Sequence, residues 1–442
     1  MKRHTHTQRF MKLFIVIAAI AAMSVTVSIA APRYDRETPQ TYEDLFKQAL
    51  ETSPTYRSTW EEQILAKYTL YRAYGDFLPG ITLSSRYSVN KNYSPTSTTS
   101  GSSGYGVSLS LPIWEGGARY YTLDNARLAV KASPIILTQS QQQLSYNLRL
   151  AINTSIASSE LVRAARSAIA LRKELLRLAE TKYALGATTE IDVLSTRIQV
   201  GTAENTLLQA IQDSTIYREK INQIIGVALT SRYPLAEPQE ESISNTGVDS
   251  LVNRALSSSP TSILAKLNYM NSLNNKKISD ATWWPTLSLS AGYDYSETGA
   301  NSKDWTIAPE GKSSSVGISL NYPLFTGFQR AETRERSKVE LKQSKWTQNK
   351  TYEDLEQSVR ENHSKYVRAK AQIVIAEANL DLAKRQRDME QERYRVGSST
   401  LLNVQNAQTA ELDSEIELVK RKLEARTAKA LLEYSVGSSL TR

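Results

Sequence analysis

Apolar residues occupy every second position in four stretches of the chain. Ile81, Leu83, Tyr87 and Val89 alternate with Thr82, Ser84, Arg86 and Ser88, and Tyr105, Val107, Leu109 and Leu111 alternate with Gly106, Ser108 and Ser110. Leu287, Leu289, Ala291, Tyr293 and Tyr295 alternate with Ser288, Ser290, Gly292 and Asp294. Val316, Ile318, Leu320 and Tyr322 alternate with Gly317, Ser319 and Asn321. Successive side chains of a strand point to opposite faces, so the spacing predicts strands at about 81–91, 104–112, 286–296 and 315–323. A half-buried soluble sheet alternates in the same way. Two features favour the wall of a transmembrane β-barrel instead: the second face is Ser, Gly, Thr and Asn, and the segments 91–104 and 296–315 are long and polar. Four strands cannot close a barrel, and lipid does not tolerate open sheet edges. Closure must then come from copies of the chain: two give a filled barrel, and three give twelve strands around a passage.

Elsewhere the pattern is helical and sparse. Ser53-Pro54 and Ser259-Pro260 read as helix starts, with Ser as N-cap and Pro in the first turn. The helices that follow run to about Asp76 and Asp280. From Gly117 to Gly186 the only breaker is Pro134, which predicts a local kink or a helix restart. A helix of that length spans roughly 105 Å, and the return from Gly186 to Gly226 roughly 60 Å. Leu171, Leu175, Leu178, Leu185, Ile191, Leu194, Ile198 and Leu207 form the narrow seam of a coiled coil rather than a broad globular face. Such helices are expected to pack with neighbours into a tube.

The chain is one unit written twice. Ala49, Leu50, Pro54 and Pro79 recur 206 positions later as Ala255, Leu256, Pro260 and Pro285. Pro112, Gly116, Tyr183, Gly186 and Gly226 recur 211 positions later as Pro323, Gly327, Tyr394, Gly397 and Gly437. The fold class expected is therefore mixed α and β, mostly α, with a tandem duplicated repeat. Four strands per chain contribute to a shared transmembrane β-barrel, continued by a long α-helical coiled-coil barrel. Repeat 1 is residues 31–247, with a connector at 227–247, and repeat 2 is residues 248–442. The hairpin tips fall at 183–192 and 394–403.

Composition narrows the chemistry. Residues 1–30 hold four of the 54 basic residues and no acid, followed by the apolar run Leu13–Met23 and the small residues Ser28-Ile29-Ala30. That is the layout of a cleaved export signal, too short for a comfortable membrane span. The sequence contains no cysteine and three histidines, two of which (His4, His6) lie in that signal. His363 sits in a polar helical stretch and reads as a solvated surface residue. No cluster of titratable groups suggests catalysis, a metal or a cofactor. Four of the nine net positive charges lie in residues 1–30, the remaining five form no basic cluster, and the run Lys384–Arg387 reads as a wet helix face, so nucleic acid is not an expected partner.

Both tips repeat a motif. One reads Lys182-Tyr-Ala-Leu-Gly186 followed by Asp192-Val193; the other reads Arg393-Tyr-Arg-Val-Gly397 followed by Asn403-Val404. Gly186 and Gly397 suit a helix C′ position, and the Thr and Ser residues after them suit the next N-cap. Together with Leu111-Pro-Ile-x-x-Gly116 and Tyr322-Pro-Leu-x-x-Gly327, this duplicated set resembles the TolC-type outer-membrane efflux family over residues 42–438. The resemblance implies a homotrimer with a twelve-stranded barrel in outer-membrane lipid and a long periplasmic helical tunnel. It implies a periplasmic adaptor (membrane-fusion) protein and an inner-membrane transporter as partners. By motif position, Leu185, Gly186, Ala187, Val396, Gly397 and Ser398 would touch the adaptor. Asp192 and Tyr394 sit where the family often has an interhelix lock. Asn403 and Asn406 sit where some members carry an acidic ring, and Ser399 replaces an Arg of some members.

The expectation is therefore a non-enzymatic exit duct of the bacterial outer membrane with a large periplasmic portion, part of a tripartite efflux or type I secretion system. The rival is a periplasmic coiled-coil scaffold or adhesin without a pore, which gives no reason for four alternating strands.

Overall fold

The computed structural model describes residues 34, 36–93, 98–236, 247–299 and 311–437. The expected signal at 1–30, residues 237–246 of the connector and the centres of the two polar loops lie outside the described residues. The first copy runs α1 (Tyr42–Thr52), α2 (Pro54–Gly75), β1 (Gly80–Asn92), β2 (Thr98–Glu115), α3 (Ala118–Ala184) and α4 (Glu190–Ile224). The second runs α5 (Val248–Ser258), α6 (Pro260–Ala281), β3 (Thr286–Gly299), β4 (Gly311–Asn321), α7 (Gln329–Arg395) and α8 (Leu401–Val436). The long helices α3 and α7 have 67 residues each, roughly 100 Å at about 1.5 Å per residue. Among the described residues no helix is long and apolar enough to cross a membrane.

The strands form one antiparallel sheet in the order β1-β2-β3-β4. Its register carries the alternation across all four. Ile81, Leu109, Ala291 and Val316 stand in one row, and Leu83, Val107 and Tyr293 share another. The opposite face has rows such as Thr82, Ser108, Gly292 and Ser315. Among the described residues nothing covers the apolar face: Leu83, Val316 and Ile318 are 76%, 80% and 70% exposed. Tyr105 and Tyr295 stack at 5.0 Å toward one end of the band, and Trp114, Trp284, Tyr322 and Phe325 lie exposed toward the other. Aromatic residues at both ends of an apolar band are expected of a wall facing lipid.

The strands reach further than the alternation indicates. β2 starts at Thr98 and β4 at Gly311, so the polar loops are shorter than 91–104 and 296–315. The added ends are Ser, Thr, Gly and Lys, which carry no two-residue period. β4 stops at Asn321, before Pro323, which has no N–H to give a ladder. Pro134 is likewise absorbed: α3 runs through it without a restart. Proline leaves the carbonyl four residues back without its donor, and the Ser133 hydroxyl supplies one to Val130 O at 3.1 Å.

The duplicated core is legible residue by residue. Leu45, Ala49, Leu144, Leu148, Ile221 and Ile225 pack together in the first copy. Their counterparts Leu251, Ala255, Leu355, Val359, Leu432 and Val436 pack together in the second. Each fully buried leucine or isoleucine is worth about 1.5–3 kcal/mol of transfer energy. His363 stands where the first copy has Ile152, and it is part-buried rather than solvated. Ser53 and Ser259 hold the N-cap positions without a side-chain cap bond. They are buried instead, because the glycine ends of α4 and α8 press on these junctions. A Cβ on Gly226 would stand 2.8 Å from Thr52 O, and one on Gly437 would stand 3.1 Å from Ser259 Cα.

Candidate functional site

Each tip begins as a helix end with carbonyls to satisfy. At the first, Gly186 takes φ +70°, which lets its N–H donate to Tyr183 O at 2.9 Å and Ala187 N donate to Lys182 O at 2.8 Å. Thr189 then caps α4 in a capping box with Asp192. The Asp192 carboxylate accepts from the hydroxyls of Thr188 at 2.6 Å and Thr189 at 3.0 Å. The Thr188 hydrogen bond, joined by those from Thr189, outweighs partial burial and holds this carboxyl below its ordinary range.

The second tip repeats the backbone and changes the chemistry. Gly397 takes φ +82°, and Ser398 N donates to Arg393 O at 2.8 Å. Thr400 caps α8 through Asn403 N at 3.4 Å. The neutral Asn403 does not complete a capping box; its amide donates to Ser399 Oγ at 3.2 Å. The Ser399 hydroxyl donates to Glu390 at 2.5 Å, and Arg393 pairs with the same carboxylate at 2.9 Å. Ser399 thus links the turn to the last turns of α7 and the first turn of α8.

The two hairpins meet in a small core of Leu175, Leu178, Tyr394, Leu401 and Val404. Tyr394 is only 4% exposed. Burial raises its phenol pKa, the Thr188 hydroxyl opposes that, and the Asp192 charge adds to it. Asp192 and Tyr394 are therefore near one another within one protomer, with Thr188 bonded to Asp192, while the Tyr394 hydroxyl is buried without a hydrogen-bond partner among the described residues. Lys182 reaches across as well: its ammonium donates to the Tyr394 carbonyl and lies 4.1 Å from the ring centre. Further up, Gln408 donates to Leu171 O at 3.4 Å. There the buried Glu411 meets Arg387 at 2.9 Å. Burial raises the Glu411 pKa, opposed by Arg387 and Lys384.

The six expected contact residues are all exposed, led by Leu185 at 78% and Val396 at 71%. Asn403 and Asn406 are exposed one turn apart on α8. Sequence reasoning passed over Lys182, Thr188 and Glu390. Lys182 was visible as the basic residue opening the repeated motif, but its partner lies 212 positions away. Among the described residues no group of acidic or histidine side chains could hold a metal ion.

The profile of the outer membrane efflux protein family matches residues 45–227 and 251–438. The outer membrane efflux protein BepC of Brucella suis biovar 1 is 22% identical over 365 residues, covering 82% of this chain and 77% of that protein. The alkaline protease secretion protein AprF of Pseudomonas aeruginosa is 22% identical over 412 residues, covering 89% and 84%. Among solved structures, the outer membrane protein VceC of Vibrio cholerae superimposes with a TM-score of 0.75 at 16% identity, covering 90% of this chain and 96% of that one. The open state of the MtrE outer membrane channel of Neisseria gonorrhoeae gives 0.73 at 13%, covering 94% and 97%. The profile breaks where the repeat breaks, and the duplicated α/β architecture is shared along nearly the whole chain: this protein belongs to the outer membrane efflux protein family.

Proposed function

We propose that the protein is the passive exit duct of a tripartite efflux or type I secretion system. It would assemble as a homotrimer in the outer membrane and conduct cargo through a water-filled tube. The observation that carries this is the sheet. Among the described residues it has one uncovered apolar face, one small polar face, and two edges, on β1 and β4, without a partner strand. Lipid permits such a wall only when copies close it into a ring.

The helices support the same assembly. Ile375, Leu382 and Met389 on α7 and Val396 just beyond its end lie exposed at seven-residue intervals, and Ile191, Leu194 and Ile198 lie exposed on α4. Such stripes fit a coiled-coil seam with a neighbouring chain. The tips Leu185-Gly186-Ala187 and Val396-Gly397-Ser398 offer small, exposed, partly apolar surfaces to a periplasmic adaptor, through which an inner-membrane transporter would deliver cargo. Asp192 and Tyr394 hold the tip closed, while Asn403 and Asn406 line it without charge. The family is one of outer membrane channels rather than enzymes. Residues 1–30 would serve export and be removed.

The test combines mass and conductance. The detergent-purified mature protein should have three times the protomer mass and form channels in planar bilayers. Asp192→Ala or Tyr394→Ala should raise single-channel conductance. A water-soluble monomer without affinity for bilayers would sink the duct reading and favour a scaffold. Channels of unchanged conductance in both variants would remove only the lock.

A further inference from the structure

Tyr183 and Tyr394 occupy the same place in the two copies, yet Tyr183 is 47% exposed and Tyr394 only 4%. The basic residues before them diverge as well. Arg393 stays in its own hairpin, paired with Glu390 at 2.9 Å. The place of Glu390 is taken in the first copy by Ala179, which is fully buried. Lys182 therefore has no carboxylate at that place, and its ammonium crosses to α7. There it donates to the Tyr394 carbonyl and lies over the Tyr394 ring. That carbonyl belongs to the last turn of α7, the negative end of the helix. One cation thus meets a helix terminus, a carbonyl oxygen and an aromatic face together.

We propose that Lys182 is a gate-positioning residue that ties the first hairpin tip to the second and holds Tyr394 in its closed place. This rests on the reading of the tips as a gate. Tyr394 is held in two ways: Lys182 grips its carbonyl and ring face, and its side chain packs with Leu175, Leu178, Leu401 and Val404. Moving α7 and α8 away from α3 requires the lysine grip and this packing to release. Loss of the lysine grip alone should shift the balance toward the open tip.

The experiment records open and closed dwell times of the full chain in planar bilayers. Lys182→Met keeps the aliphatic stem and removes the charge. It should raise the open-to-closed ratio about tenfold, equivalent to ~1.4 kcal/mol. Lys182→Arg should restore the wild-type ratio, because a guanidinium can both donate and stack. Lys173→Met removes another lysine of α3, paired at 2.7 Å with Glu204, and should leave gating unchanged. A merely structural role would lower the unfolding midpoint and give no rescue by arginine, and would overturn the proposal. If Lys182→Met gates like wild type while Tyr394→Ala opens the tip, the latch is wrong and the gate reading survives. If neither variant changes a conducting channel, both readings fall.

Discussion

Gly186 and Gly226 share a backbone conformation and differ in surroundings, which isolates the cost of one close approach. Both end a helix at positive φ, +70° and +67°. An alanine in the left-handed region costs roughly 1–2 kcal/mol and recovers about 0.4–1 kcal/mol by restricting the unfolded chain. At Gly186 nothing lies within 4 Å of an added Cβ, so Gly186→Ala should cost a net ~1 kcal/mol. At Gly226 the Cβ would meet Thr52 O at 2.8 Å and Thr52 C at 3.1 Å. These are backbone atoms at the α1–α2 junction, and Thr52 also donates its hydroxyl to the Ile225 carbonyl. The end of α4 would have to move, and overpacking of this kind adds roughly 1–3 kcal/mol. Gly226→Ala should therefore lose about 2–4 kcal/mol. Urea unfolding of the detergent-purified protein, followed by helical circular dichroism, reads the difference as a midpoint shift at constant slope. Equal shifts in the two variants, or the larger shift in Gly186→Ala, would refute the assignment of this contact as a fixed point of the fold.

Three further outcomes are expected. The Asp192 carboxyl is held below its ordinary 3.8 by Thr188 first and Thr189 second, so its stabilisation is complete above that value and is lost as pH falls through the lowered one. Asp192→Asn should accordingly unfold more easily by about 0.5–1 kcal/mol at neutral pH and match wild type in strong acid; a gap that persists into acid contradicts the cause assigned. Phe328 carries φ +67° where the first copy has Gly117, so Phe328→Gly should raise the unfolding midpoint in detergent by a net ~1 kcal/mol, the relieved left-handed strain less what a freer unfolded chain takes back. A lower midpoint would mean the ring does more for the fold than its 77% exposure indicates. The chain has no cysteine, so Ser84→Cys and Leu83→Cys can be labelled cleanly in vesicles with a charged maleimide. Labelling of the first and protection of the second is expected, and equal labelling would place both faces of the sheet in water.

Periodicity and the repeat carry most of this fold. Pairs such as Leu45 with Leu251 and Leu144 with Leu355 occupy matching cores because the same helix faces are written twice. Alternation places the strands, but it fails at Thr98–Ser103 and Gly311–Ser314, where small and polar residues occupy both faces. Glycine and threonine spacing predicts the tip backbones, since each answers a local shortage of donors or acceptors. The contacts between tips are another matter. Lys182 with Tyr394 and Gln408 with Leu171 join residues more than two hundred positions apart, and no local pattern pairs them. Phe328 in a glycine conformation is also invisible locally, because the second copy keeps the turn after the residue that eased it has changed.

The last described turn of α8 lies against the middle of α3. Gln142 donates to the Gly437 carbonyl at 2.6 Å across 295 positions, Arg149 meets Glu433 at 3.4 Å, and Tyr146 packs on Tyr434 at 5.4 Å. Helix α3 is thus synthesised long before the segment that covers it exists. Contacts of such separation form slowly and leave apolar surface bare in the meantime. The middle of α3 therefore cannot reach its final packing until nearly the whole chain is available, so its docking against α8 belongs to the late steps of folding.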